Sequence, residues 1–106
     1  MVRDIDSDAT VVQIRAEIAE NDRVILAALN RRLELVDRLR DHKAEHGYPR
    51  IDESRERWLL DYLVDVNPGP LTAEGVRSLF SAVLAIGKAE VYGITKGGGS
   101  TSSDEG

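Results

Sequence analysis

Residues 8–46, "DATVVQIRAEIAENDRVILAALNRRLELVDRLRDHKAEH", decide the fold because they contain neither proline nor glycine. Apolar side chains recur in this stretch at helical spacing, at Val11, Ile14, Ile18, Ile25, Leu29, Val36 and Leu39. The pattern predicts one long amphipathic helix, which Asp8 or Thr10 can cap and which Gly47 and Pro49 end. At about 1.5 Å per residue it would be about 55 Å long, too long for the interior of a small globule.

Two shorter helices are predicted after it. The first runs from about Asp52 to Val66, and "NPGP" at residues 67–70 ends it. Its apolar side consists of Trp58, Leu59, Tyr62, Leu63 and Val66. The second begins near Thr72, a suitable N-cap, and its buried face is predicted to contain Val76, Leu79, Phe80, Val83, Leu84 and Ile86. No segment predicts a strand, so the fold class is all-α.

One long helix and two short ones cannot cover each other's apolar faces. The long helix would extend beyond its partners with its apolar stripe exposed to water. A second copy of the chain is the simplest cover, so we expect an intertwined homodimer. We divide the chain into an N-terminal extension (residues 1–9), a helical domain (10–92) and a flexible tail rich in glycine and serine (93–106).

The amino-acid composition argues against several classes of function. The 106 residues predict one domain, and 19 acidic against 14 basic residues argue against nucleic-acid binding. The absence of cysteine excludes a disulfide scaffold and thiolate chemistry. No apolar run approaches the roughly 20 residues of a membrane span, and the N-terminus lacks the apolar region of a signal peptide. We therefore expect a soluble cytoplasmic protein that does not bind membranes.

Cations accompany the apolar stripe of the long helix. Arg32 and Lys43 are 11 residues apart, or about 1100° of helical rotation, which places them only about 20° apart. Arg15 lies 17 residues before Arg32 and points about 100° away, toward a different groove. In an antiparallel dimer that groove belongs to the partner's site. The structural alternative is that these side chains simply extend to water beside a packing face.

The stretch "RIDESRER" at residues 50–57 also allows two interpretations. In the structural one, Asp52 caps the second helix, Glu53 and Glu56 interact favourably with its dipole, and the arginines are solvated. In the functional one, Asp52 and Glu56 accept hydrogen bonds from ligand hydroxyls, while cations bind the ligand's carboxylates, a role that suits arginine. Those cations would be Arg32, Lys43, Arg55 and, from a partner, Arg15.

This set of charges resembles the all-helical chorismate mutase family. The resemblance rests on "IRAEIAENDRVILAALNRR" at residues 14–32, the lysine of "RDHKAEHG" at 40–47, and "PRIDESRE" at 49–56. Six charged family positions are matched without a gap, and the pair Leu79–Phe80 fits the start of the family's third helix. The resemblance covers about residues 10–92.

The resemblance implies an isomerase without metal or cofactor, which catalyses the Claisen rearrangement of chorismate to prephenate. This reaction needs a flexible dianion held in a compact conformer and stabilisation of charge on the ether oxygen. By the resemblance, Lys43 donates to the ether oxygen and a carboxylate, Glu56 accepts from the ring hydroxyl, and Asp52 helps to hold that end of the ligand. The carboxylates are bound by Arg32, Arg55 and, from the other subunit, Arg15. The catalytic residues would be Lys43, Arg32 and Glu56.

The third helix departs from the family pattern. The position that usually carries a glutamine or glutamate donor is Val91, and the position of a serine one turn earlier is Gly87. Valine cannot donate a hydrogen bond, and losing one such donor can cost about 100-fold or more in rate. The ending "IGKAEVYG" at 86–93 resembles a short subclass that is activated by binding DAHP synthase. In a shifted register, Glu90 or Lys88 would face the site instead.

Other functions stay open at this stage. Relatives act on neighbouring substrates, as 4-amino-4-deoxychorismate mutase or isochorismate–pyruvate lyase, and the Glu56 carboxylate would suit either an ammonium or a hydroxyl. A non-catalytic regulatory partner of a shikimate-pathway enzyme is a further alternative, favoured by Val91. The sequence H-x-x-E-H at residues 42–46 matches a zinc motif, but a zinc site needs a third protein ligand and no further histidine exists. We therefore expect no metal.

Overall fold

The computed structural model describes residues 4–94, and within them the chain is helical. Three α-helices follow one another: α1 (Ala9–His46), α2 (Glu53–Val66) and α3 (Ala73–Gly87). A 3₁₀ turn at Ile5–Ser7 precedes α1, and a π-helical segment at Lys88–Tyr92 follows α3. No strand occurs in residues 4–94, which confirms the all-α prediction. The predicted tail lies, from residue 95 onward, outside the described residues, as do residues 1–3.

The chain divides into two compact units, residues 1–32 and residues 33–106. In the first unit, Asp8 caps α1, because its Oδ1 accepts from the backbone N–H groups of Thr10 at 2.9 Å and Val11 at 3.2 Å. Six large apolar side chains of this part of α1 remain at least 49% exposed in the single chain, and none is buried. They are Val12, Ile14, Ile18, Val24, Ile25 and Leu26. This unit by itself therefore has no core.

In the second unit, α2 and α3 pack together and both have side-chain caps. The Asp52 carboxylate accepts from Arg55 N–H at 3.1 Å, and the Thr72 hydroxyl accepts from Gly75 N–H at 3.0 Å. An exposed ion pair between Asp61 and Arg77, 2.8 Å long, links the two helices.

The core of one copy is small. Of the large apolar face predicted for α3, only Val76 and Val83 are buried, at 3% and 7% exposure. Leu79 and Ile86 stay 48% and 53% exposed in the single chain, so that part of the predicted buried face is open to water in one copy.

The C-terminal end of the described helices is fixed by two arginines. Arg40 Nη1 donates to the Val91 carbonyl and Arg50 Nη2 to the Tyr92 carbonyl, each at 2.9 Å. The last carbonyls of a helix have no intrahelical donor, and these guanidinium groups supply one. Gly93, at φ +70°, then turns the chain in a left-handed conformation that favours glycine.

In residues 4–94, none of the helices combines the length and the hydropathy that crossing a membrane requires.

Candidate active site

A cavity of about 440 Å³ in the second unit contains an ion pair between α2 and the π-helical segment. Lys88 Nζ donates to Glu56 Oε1 at 3.0 Å. Both side chains are mostly buried, with 30% of Lys88 and 24% of Glu56 exposed. Leu60 and Leu84 also line this cavity. Glu56 is therefore a carboxylate aimed into a partly apolar cavity, with one cation already beside it.

A second cavity, of about 790 Å³, contains Lys43 and Asp52. Lys43 is half-buried near the end of α1, and its ammonium donates to the Arg50 carbonyl at 2.9 Å. That bond holds the Lys43 side chain against the loop before α2 and leaves two further ammonium protons for a ligand. Leu39 and Ile51 form part of the apolar wall.

Asp52 performs the structural role that the sequence allowed. Its carboxylate accepts from the Ser54 hydroxyl at 2.8 Å as well as from Arg55 N–H. The Ser54 hydrogen bond, the backbone hydrogen bond of Arg55 and the charge of Lys43 together lower the pKa of Asp52 from its ordinary value of 3.8. The carboxylate is ionised at neutral pH and its remaining lone pairs are available to a hydroxyl.

A third cavity, of about 250 Å³, lies where α1 meets the π-helical segment and is lined by Lys43, Val91 and Tyr92. The guanidinium groups of Arg40 and Arg50 complete its wall. Val91 contributes no side-chain donor here, and its carbonyl is already bound to Arg40. The Tyr92 hydroxyl is shielded from solvent and has no hydrogen-bond partner among residues 4–94, so within that range it is an unsatisfied polar group of this wall.

The predicted arginines lie outside these three cavities. Arg55 is exposed, and its guanidinium stacks on the Trp58 ring at 4.0 Å from the centroid. In the first unit, Arg15 is exposed and paired with Asp6 at 2.7 Å, while Arg32 is half-buried.

The second unit thus brings three pairs of residues together, each pair in a different cavity: Glu56 with Lys88, Lys43 with Asp52, and Lys43 with Val91. Gly87 is buried and lines none of the three. The positions of Arg40 and Arg50 were not predicted from the sequence, and Lys88 was expected to face the site only in a shifted register. Lys88 could have been singled out from the sequence, because it is the first charged residue after the ten uncharged residues 78–87.

The H-x-x-E-H stretch brings three donors together at the end of α1. Ligand atoms of His42, Glu45 and His46 lie within 4.8 Å of one another, and all three residues are exposed. Glu45 therefore supplies the third donor that was lacking when histidines alone were counted. His46 Nδ1 lies 2.9 Å from the His42 carbonyl, so this ring nitrogen has a backbone partner. Such exposed groups are common without an ion.

Comparison with known proteins agrees with this arrangement of helices. Residues 14–90, more than half of the chain, match the family model described as chorismate mutase type II. Two solved structures of chorismate mutase from Thermus thermophilus, forms I and II, are each 33% identical over 74% of this chain. The match covers 98% and 89% of those chains, with TM-scores of 0.72 and 0.71. No curated protein matches the chain significantly.

Proposed function

This chain belongs to the type II chorismate mutase family and is a chorismate mutase, an isomerase; we propose that it converts chorismate to prephenate at a site that includes Lys43, Asp52 and Glu56. The observation that carries the proposal is the family match over residues 14–90, which contains all six charged positions of the sequence argument. Those positions are Arg15, Arg32, Lys43, Asp52, Arg55 and Glu56.

The proposed mechanism needs no covalent intermediate. In a Claisen rearrangement one C–O bond breaks as one C–C bond forms within the same molecule, so no proton has to move to or from the protein. The site holds the dianion in the conformer in which the reacting carbons meet. Lys43, a half-buried ammonium with free protons, stabilises the charge that develops on the ether oxygen. Glu56 accepts a hydrogen bond from the ring hydroxyl, and Asp52 helps to hold that end of the substrate.

We further propose that the active form is a homodimer in which Arg15 reaches the partner's site. The support is the set of α1 side chains that stay about half exposed in one copy, together with the small core around Val76 and Val83. Burying apolar surface is the main driving force for such association. In the dimer, Arg15 would exchange its exposed pairing with Asp6 for a substrate carboxylate.

Activation by DAHP synthase is part of the proposal, because Val91 supplies no donor from the third helix and a partner that tightens the site would offset that loss. We also propose a cytoplasmic location, because a dianionic substrate made inside the cell does not cross a bilayer unaided.

The direct test is an assay of the purified full chain with chorismate. We expect the diene absorbance of chorismate to fall while prephenate forms, and the rate to rise when a DAHP synthase is added. Chorismate that stays unchanged both with and without that partner would contradict the assignment of activity, and the chain would then be a non-catalytic member of its family.

A further inference from the structure

We propose that Lys88 is a specificity-determining residue, which makes the site prefer a substrate with a hydroxyl beside Glu56 over one with an ammonium there. The inference rests on the proposed function and deepens it. It is carried by the ion pair between Lys88 Nζ and Glu56 Oε1, 3.0 Å long, inside the cavity of about 440 Å³.

The position of Lys88 is well defined by its surroundings. It directly follows Gly87, which is buried at the end of α3, and it opens the π-helical segment. Arg40 and Arg50 hold the last two carbonyls of that segment. A single-turn π-helix inside or at the end of an α-helix shifts the direction of the side chains that follow, and such segments are frequent at functional sites. Here the Lys88 side chain lines the cavity of about 440 Å³, whereas Val91 lines the cavity of about 250 Å³.

The charge balance of the cavity then decides which substrate fits. A hydroxyl is neutral, so it can donate to Glu56 while Lys88 remains as the counter-ion of the same carboxylate. Glu53 and Arg57 also line the cavity, and their opposite charges offset each other. An ammonium in the same place would therefore put a second cation beside Lys88 at the Glu56 carboxylate. Like charges at close range inside a partly buried site oppose binding. Lys88 would have to leave Glu56 before such a substrate could bind.

The sequence alone left this choice open, because a carboxylate at Glu56 accepts a hydrogen bond from either group. A cation next to that carboxylate removes the ambiguity. Lys88 therefore selects against a wrong substrate, which is a common way for proteins to achieve specificity.

The experiment measures kcat/KM for chorismate and for 4-amino-4-deoxychorismate with the full chain, and compares the ratio between variants. Wild type should prefer chorismate. Lys88→Met keeps the length of the side chain but removes the charge, and should lower the ratio about tenfold. Lys88→Arg keeps the charge and should keep the preference. Arg77→Met is the matched control, since it removes the exposed Asp61–Arg77 pair between α2 and α3 and should leave the ratio unchanged.

A purely structural role for Lys88 would lower kcat/KM for both compounds by the same factor and leave the ratio alone, which would overturn the inference. A wild-type preference for the amino compound would overturn it as well. Turnover of neither compound by wild type would remove the proposed function itself, and this outcome is distinct from the other two. Circular dichroism of each variant, with Lys88→Gln as a second neutral replacement, keeps the comparison valid if Lys88→Met folds poorly.

Discussion

Replacing Glu56 by glutamine removes one charge from the centre of the proposed site and changes little else. The carboxylate is 24% exposed and pairs with Lys88 at 3.0 Å. A hydrogen bond to a charged acceptor contributes about 1.5–3 kcal/mol, and one to a neutral acceptor about 0.5–1.5 kcal/mol. The glutamine amide still accepts, so about 1–1.5 kcal/mol is lost, and each 1.36 kcal/mol corresponds to about a factor of ten. If the ring hydroxyl binds Glu56, kcat/KM for chorismate should therefore fall about 5- to 15-fold.

The stability of the fold should respond much less to Glu56→Gln. The amide oxygen can still accept from Lys88, and partly exposed ion pairs contribute about 1 kcal/mol or less. The expected loss in Tm is a few degrees at most, measured by circular dichroism. An initial-rate assay over a range of chorismate concentrations separates the catalytic effect from this small structural one.

A double variant sharpens the test. Because Lys88 is proposed to act through the carboxylate of Glu56, adding Lys88→Met to Glu56→Gln should change the substrate ratio less than it does in wild type. Glu56→Gln that keeps more than about one third of the wild-type kcat/KM would refute the placement of the ring hydroxyl at this residue.

Three further outcomes are expected. Val91→Gln introduces the missing donor beside Lys43 and should raise kcat about tenfold or more without any partner protein; an unchanged or lower kcat would show that position 91 does not face the ether oxygen. Ile18→Asp places a charge on the exposed apolar side of α1 and should convert a dimer to monomer in sedimentation analysis, with loss of turnover; a dimer that survives would exclude this face from the interface. The lowered pKa of Asp52 means that its carboxylate stabilises the fold above pH 3.8 and that this contribution is lost as the pH falls below that value, through the folded-state pKa. The Tm difference between wild type and Asp52→Asn should therefore be constant at higher pH and shrink below 3.8, whereas a difference that is the same at all pH values would contradict the cause given for the shift.

The local rules of helix formation predicted the elements well. The first helix was expected from Asp8 to His46 and spans Ala9–His46, because no breaker interrupts it and Gly47 ends it at φ +70°. The caps at Asp52 and Thr72 were likewise visible in the sequence, since each depends only on residues three positions away.

Features that depend on distant residues could not be predicted in the same way. The π-helical segment is held by Arg40, which lies 51 residues from its acceptor, and by Arg50, 42 residues from its own. The partner of Lys88 is 32 residues away. Periodicity contains no information about such pairs. Trp58, which lies on the predicted apolar side of the second helix, is 47% exposed in the single chain and packs against Arg55 and Tyr62.

Because the core of one copy is small, the folded fraction of this enzyme should depend on its concentration. Among residues 4–94 the apolar side chains shielded from water are Val76 and Val83, far too few to offset the chain entropy that ordering costs. If a second copy covers the remaining apolar surface, folding and dimerisation are coupled, and the Tm of unfolding rises with protein concentration. Dilution then favours the unfolded chain. The activity in a cell would therefore change more than proportionally with the amount of protein that is synthesised.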